Sequence, residues 1–344
     1  MDIIPTSFYQ DKPDILTILT TYRCNAACAE CCFESNPKVK GRLSLREITK
    51  QINDAHEKFK SLKLVVFSGG ECFLLKNDLY KSIKEAASLN LMTRCVTNGF
   101  WGKTRDNSEK VADMLQQSGL TEINFSTGLD HQKWVPIESV VNSAISTSDR
   151  DIFTLITVEK DTQDSDFLEK IINHTKLKEK IYSGKILVQS NSWMPFRENH
   201  IERGEQLDSN TLRKGCDQVF KNVVVTPHNL LSACCGLTLE HIPEMKLGDL
   251  GSNSIETLYN SQKNDFLKHW IHTDGPYAII EKVMGSEFIN NEMPNFSHIC
   301  QACVFLHKDE RIVKKLKSEY KKYIPETVFK ISLNTKVGNN NDQL

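Results

Sequence analysis

Three thiols, Cys24, Cys28 and Cys31, stand at C-x3-C-x2-C in the segment Thr20-Thr21-Tyr22-Arg23-Cys24-Asn25-Ala26-Ala27-Cys28-Ala29-Glu30-Cys31-Cys32. Thiolates bind soft metals. Three of them on a four-iron cube leave one iron open to a small chelating molecule, whereas a structural zinc loop or a fully ligated ferredoxin-type cluster would use the same side chains without that opening. Four more thiols, Cys216, Cys234, Cys300 and Cys303, follow later and close in a Cys-Gln-Ala-Cys pair. By spacing they suit a zinc ion or an iron-sulfur cube equally. Cys235 adjoins Cys234, and two neighbouring thiols seldom reach one cluster, so one is spare. The turn Ser68-Gly69-Gly70-Glu71 adds two glycines that let the backbone approach a ligand and a carboxylate able to take an ammonium group. Alone, such a turn is common.

The elements that would position these residues read as about six βα units around a parallel sheet. Strands are expected over Ile15 to Leu19, Leu64 to Phe67, Thr93 to Val96, Ile123 to Phe125, Phe153 to Val158 and Ile186 to Gln189. Ser44 with Glu47 makes a capping box for a helix over Leu45 to Phe59, and Ser108 is an N-cap candidate for the helix through Met114. Sites in such folds gather at the C-terminal ends of the strands, where the chemistry-bearing residues fall. After about Asn191 the rhythm breaks into a Pro- and Gly-punctuated stretch rich in Cys and His, read as a smaller second domain. The expected division is residues 1–200, 201–325, and a tail over 326–344 whose Asn-rich end, Gly338 to Leu344, is expected to be disordered. Lys308 to Tyr323 reads as a Lys-rich helix with a solvated face, and no solenoid-type repeat is present.

Across 344 residues, 43 Lys and Arg nearly balance 44 Asp and Glu, for a net charge of -1. That balance argues against a nucleic acid or an anionic membrane as partner and for a small or neutral substrate. The N-terminus, Met1-Asp2-Ile3-Ile4-Pro5, has neither the basic start nor the apolar run of a signal peptide, and no apolar stretch is long enough to span a bilayer. A cytoplasmic protein is expected. Eleven cysteines in a reducing compartment point to metal binding or chemistry rather than disulfides.

The spacing and position of Cys24, Cys28 and Cys31 resemble the signature of the radical S-adenosylmethionine (SAM) superfamily. There the open iron binds the amino and carboxylate groups of SAM. The resemblance implies a partial (β/α)6 TIM-like barrel in an α/β fold. Gly69, Gly70 and Glu71 then look like the motif that grips the SAM amino group, a role assigned to Glu71. The strand ends Thr97-Asn98-Gly99 and Ser126-Thr127-Gly128-Leu129-Asp130-His131 look like positions that contact the ribose or methionine part, with Asn98 and above all Ser126 as candidates. Asp130 and His131 face the substrate or are a capping Asp beside a surface His, and Glu159 is a further polar candidate. Glu30 departs from the usual aromatic before the third cysteine, and Cys32 and Cys72 read as packing residues. The later thiols resemble the small α+β twitch domain, a truncated relative of the SPASM domain that holds one auxiliary [4Fe-4S] cluster through Cys216, Cys234, Cys300 and Cys303. Lys246-Leu247-Gly248-Asp249-Leu250 looks like the turn after its hairpin.

The resemblance implies reductive cleavage of SAM to a 5'-deoxyadenosyl radical and abstraction of a substrate hydrogen atom, in a barrel lumen capped by the second domain. Enzymes so extended act mostly on ribosomally made peptides, forming crosslinks or inverting stereocentres. Peptide modification is therefore the leading reading, with a small-molecule dehydrogenase as the alternative and a non-catalytic electron-transfer protein as the alternative of another class. A low-potential donor such as flavodoxin or ferredoxin is implied. The chain ahead of the first strand is too short for a leader-binding domain, so a peptide is expected to dock on the barrel mouth or arrive with a partner. Cys235 is the candidate hydrogen-atom donor, because an S–H bond is weaker than most C–H bonds; a buried packing residue is the plain alternative.

Overall fold

The computed structural model describes residues 13–160, 162, 165–192, 194–195 and 206–341. The chain forms two compact units, one of residues 14–205 with 224–230, the other of 206–223 with 231–344. The expected boundary at residues 200 and 201 lies outside the described residues.

The first unit runs β1 (Ile15–Leu19), α1 (Leu45–Lys58), β2 (Leu64–Ser68), α2 (Asn77–Ser88), β3 (Met92–Thr97), α3 (Arg105–Ser118), β4 (Glu122–Thr127), α4 (Leu129–Gln132), α5 (Ile137–Ser148), β5 (Phe153–Lys160), α6 (Phe167–Ile172), α7 (Lys178–Tyr182) and β6 (Ile186–Ser192). The six strands lie in sequence order, each parallel to the next, as a partial barrel. All six expected strands are found. β2 is buried on both faces, as a parallel strand under helices must be, and its Leu-Val-Val-Phe run follows from that. β4 alternates instead. Ile123 and Phe125 sit in the core, where Phe125 packs on Trp101, while Glu122, Asn124 and Ser126 share the other face. That second face is polar, with Arg94 paired to Glu122 at 2.7 Å and Thr157 donating to Asn124 at 2.8 Å.

Helix α1 has the expected capping box, with Ser44 and Glu47 each holding the other's backbone N–H. α3 does not begin at Ser108. Its N-cap is Thr104, whose hydroxyl accepts from Asn107 N–H, and Ser108 is a buried first-turn residue bonded to Arg105 O and Ser146 Oγ. Thr104 wins because it sits one turn earlier, so the polar residues after it can wind into the helix.

β7 (Asn222–Val225) and β8 (Leu230–Ser232) have residues in both units, and the second unit also holds α8 (Ser209–Leu212), β9 (Lys246–Asp249) and then helices only. These are α9 (Ile255–Ser261), α10 (Phe266–Asp274), α11 (Pro276–Met284), α12 (Ser286–Glu292), α13 (Ile299–Lys308), α14 (Glu310–Glu319) and α15 (Ile324–Asn341). The unit is more helical than the expected α+β domain. The Lys-rich helix breaks at Asp309, whose carboxylate caps α14 by accepting from Arg311 N–H and Ile312 N–H. The chain from Gly338, expected to be disordered, is helical to Asn341, since α15 meets no proline after its first turn; residues 342–344 lie outside the described residues. Among the described residues, no helix is long and apolar enough to cross a membrane.

Candidate SAM and iron-sulfur sites

The cysteine loop leaves β1 and is stitched to the turn after β2. Thr20 N–H donates to Ser68 O at 2.8 Å, Gly70 N–H to Thr21 O at 2.7 Å and Glu71 N–H to Arg23 O at 3.0 Å. Gly69 (φ +130°) and Gly70 are required by this approach. A Cβ on Gly69 would lie 2.4 Å from Thr21 O, and one on Gly70 would lie 2.4 Å from Arg23 O. Thus the space beside both glycines is filled by the cysteine loop.

Within the loop, Cys24 is buried and Cys28 and Cys31 are half-buried. Burial, and then the Glu71 charge, push the Cys24 thiol up to about 12, although Ala26 N–H donates to its sulfur at 3.4 Å. Cys28 is raised further, by burial and then by Cys31, Glu159, Cys24 and Asp130. Cys31 goes the other way, down to about 6, because donors at Cys32 and in the Phe33 and Ser35 backbone outweigh its burial. The three thiols thus feel one another's charge. Among the described residues, no three Cys, His, Asp or Glu side chains converge on a point that one metal ion would fill. The donor set fits a cluster: soft ligands, with hydrogen-bond donors on Cys24 and on Cys31, the buried Ser35 hydroxyl among the latter.

Glu71 is placed differently from expectation. Its side chain is fully buried, one oxygen accepting from Phe73 N–H at 3.1 Å and Thr97 Oγ1 at 2.9 Å, the other from Asn98 N–H at 2.9 Å. An ammonium group would find no exposed oxygen there. Burial raises its carboxyl to about 7 against the pull of these three donors. Asn98 is buried as well, and its Nδ2 donates to Asn25 Oδ1 at 3.0 Å and to Cys24 Sγ at 3.7 Å. Cys72 is a core residue, its thiol bonded to Val96 O at 3.3 Å.

At the ends of β4 and β5, Glu159 is buried against Gly128, whose φ of +136° and missing side chain make the room: a Cβ there would fall 2.0 Å from Glu159 Cγ. Glu159 accepts from the backbone N–H of Asp130 and pairs with His131 Nδ1 at 2.9 Å. Asp130 is not the cap of α4, a position held by Gly128, and pairs with Lys133 Nζ at 3.0 Å. Nor is His131 a surface side chain, being 13% exposed. Ser126 is half-buried on the polar face of β4.

In the second unit, α13 carries Cys300 and Cys303 one turn apart near its N-terminus, a place that favours thiolates. His298 caps the helix, its Nδ1 accepting from Cys300 N–H at 3.1 Å. Burial comes first in raising Cys234 to about 11 and Cys300 to about 12, and Cys216 adds to both, while Cys303 is raised by burial and by Cys234, Cys300 and Cys216. Gly236 leaves the space between two of them open: a Cβ there would meet Cys300 Sγ at 3.3 Å and Cys234 Sγ at 3.5 Å. Buried Lys268 lowers Cys234 and Cys303. Cys235 feels the charges of Cys234, Cys300 and Cys216 as well. Its thiol donates to Gln218 Oε1 at 2.8 Å and accepts from Asn222 Nδ2 at 2.8 Å, and burial pushes it up to about 12. Reading the sequence missed Gln218 and Asn222, which lie far from Cys235 along the chain and belong to no motif; it also missed Thr97 as a partner of Glu71.

Residues 18–127 match the model of the Radical SAM superfamily. That stretch, from β1 to the end of β4, therefore carries the radical SAM likeness. It is 26% identical over 156 residues to YydG of Bacillus subtilis (strain 168), a protein provisionally assigned to peptide biosynthesis, covering 43% of this chain and 47% of that protein. The chain thus matches about half the length of that curated relative. Two solved structures share its fold: anSMEcpe with bound AdoMet (TM-score 0.56, 11% identity, 93% of this chain and 100% of that one) and anSMEcpe with AdoMet and the Cp18Cys peptide (0.55, 12%, 93% and 99%).

Proposed function

We propose that this chain cleaves SAM reductively, modifies a peptide by hydrogen-atom abstraction, and inverts a stereocentre by returning a hydrogen atom from Cys235. Cys24, Cys28 and Cys31 would hold the SAM-binding [4Fe-4S] cluster, and Cys216, Cys234, Cys300 and Cys303 an auxiliary one. A cluster held by Cys24, Cys28 and Cys31 would supply the electron for cleavage of SAM and so the hydrogen-abstracting radical. Among the remaining residues, Ser126 is assigned to the SAM pocket from the polar face of β4. The likeness to YydG supports a peptide as substrate.

The observation that carries the choice of inversion over crosslinking is the clamp on Cys235. Gln218 Oε1 and Asn222 Nδ2 hold its sulfur at 2.8 Å each, and the S–H is engaged as a donor. A thiol so held keeps its hydrogen and can lose it to a carbon radical, because the C–H bond formed is stronger than the S–H bond broken. The sulfur radical left behind takes one electron and one proton to restore the thiol, the electron coming from a low-potential donor of the flavodoxin or ferredoxin class.

Anaerobically reconstituted protein given SAM and dithionite is expected to release 5'-deoxyadenosine. Absence of that product at full iron loading would end the proposal, and so would its persistence after Cys24, Cys28 and Cys31 are together replaced by Ala.

A further inference from the structure

We infer that Glu71 is a positioning residue, not a ligand of SAM: its carboxylate fixes Asn98 so that the Asn98 side chain donates to the sulfur of Cys24. This rests on the assignment of Cys24 as a cluster ligand. The bonds form a closed ring through three loops. Glu71 N–H holds Arg23 O, next to Cys24; its carboxylate holds Asn98 N–H; and Asn98 Nδ2 reaches back to Cys24 Sγ at 3.7 Å and Asn25 Oδ1 at 3.0 Å. Thr97 Oγ1 and Phe73 N–H occupy the other carboxylate oxygen, so Glu71 is fastened on every side. Phe100 N–H bonds Asn98 Oδ1 at 3.1 Å, which fixes the amide with its NH2 turned to the cysteine loop. Glu71, Thr97, Asn98 and Cys24 are all at most 8% exposed, so water does not compete for these bonds.

An N–H donor on a cluster thiolate stabilises the more negative, reduced state, and so raises the reduction potential. Asn98 is therefore assigned to setting how readily the cluster accepts its electron, and Glu71 to holding Asn98 in place. A carboxylate is suited to this because it accepts all three donors at once. A Gln side chain would put an NH2 against one of them, and where it meets Asn98 N–H the hold on Asn98 is lost.

The test is an EPR-monitored redox titration of the reconstituted protein, with Cys216, Cys234, Cys300 and Cys303 replaced by Ala so that only the first cluster reports. Asn98→Ala and Glu71→Gln are both expected to shift the midpoint to lower potential with iron content unchanged, and the double variant to shift no further than Asn98→Ala alone. SAM affinity by equilibrium dialysis should change less than threefold in Glu71→Gln. A tenfold loss of SAM affinity at an unchanged potential would overturn the inference and make the carboxylate a SAM ligand. Additive shifts would also overturn it. If Glu71→Gln does not fold, an unchanged potential in Asn98→Ala is sufficient to refute it. Failure of the underlying assignment is seen separately, as a Cys24→Ala protein that keeps its iron and its EPR signal.

Discussion

Replacing Cys235 by serine separates the chemistry of this side chain from its packing. A serine hydroxyl can donate to Gln218 and accept from Asn222 as the thiol does at 2.8 Å in each bond. Its O–H bond, however, is stronger than the C–H bond that would be formed, so hydrogen transfer to a carbon radical runs uphill. Replacement by alanine deletes both bonds. Because Asn222 Nδ2 also reaches Gln218 Oε1 at 3.2 Å, the two amides keep each other, and the loss is that of a net hydrogen bond, about 1 kcal/mol, rather than of an orphaned buried group. That corresponds to a fall in Tm of roughly 2–4 °C. Both variants should keep the iron content and the release of 5'-deoxyadenosine. With a peptide that supports turnover, run in D2O, the native chain should place one deuterium on the inverted carbon, because the thiol exchanges with solvent. The serine variant should give no inverted product. Inverted, deuterated product from that variant would refute the reasoning, and loss of about four irons from the alanine variant would show Cys235 to be a cluster ligand.

Cys234→Ala should lose about four of roughly eight irons while still cleaving SAM, read by iron analysis and chromatography. Gly70→Ala should lose the first cluster or fail to fold, since its Cβ would stand 2.4 Å from Arg23 O; iron content and circular dichroism of the two proteins decide it. For Asp274, burial works to raise the carboxyl, but bonds from Lys282 and Lys330, each at 2.7 Å, and from Trp270 outweigh it and leave the group lowered. A carboxylate held low stabilises the fold above its unfolded pKa of about 3.9 and loses that contribution as pH falls below it. Asp274→Asn is thus expected to cost about 1–3 kcal/mol at pH 7 and to approach the native Tm as the pH drops towards 3, and a difference independent of pH would contradict this.

What could be read from the sequence was what is local. The six strands announce themselves because β-branched runs such as Leu64 to Phe67 are bounded by turns, and the capping box of α1 lies within four residues. The spacing of Cys24, Cys28 and Cys31 is local in the same way. Ser108 misled because a buried serine that bonds Arg105 O and Ser146 Oγ carries the same letter as a cap. The hydrogen bonds of Glu71 were out of reach in sequence, because its partners Thr97 and Asn98 lie at the end of the next strand, 26 and 27 residues on. The clamp on Cys235 reaches back 17 and 13 residues to Gln218 and Asn222, side chains with no pattern to flag them.

The stitching of the cysteine loop to the turn after β2 bears on how such a protein is matured. Thr20, Gly70 and Glu71 hold Ser68, Thr21 and Arg23 through backbone N–H groups, and the Thr20 hydroxyl adds a second bond to Ser68 O, so the stitching draws on no thiol. Many metal sites draw on the binding energy of the ion to order the chain around it. Here bonds to the turn after β2 supply part of that ordering. Less of the energy of binding iron and sulfide would then go into arranging the loop.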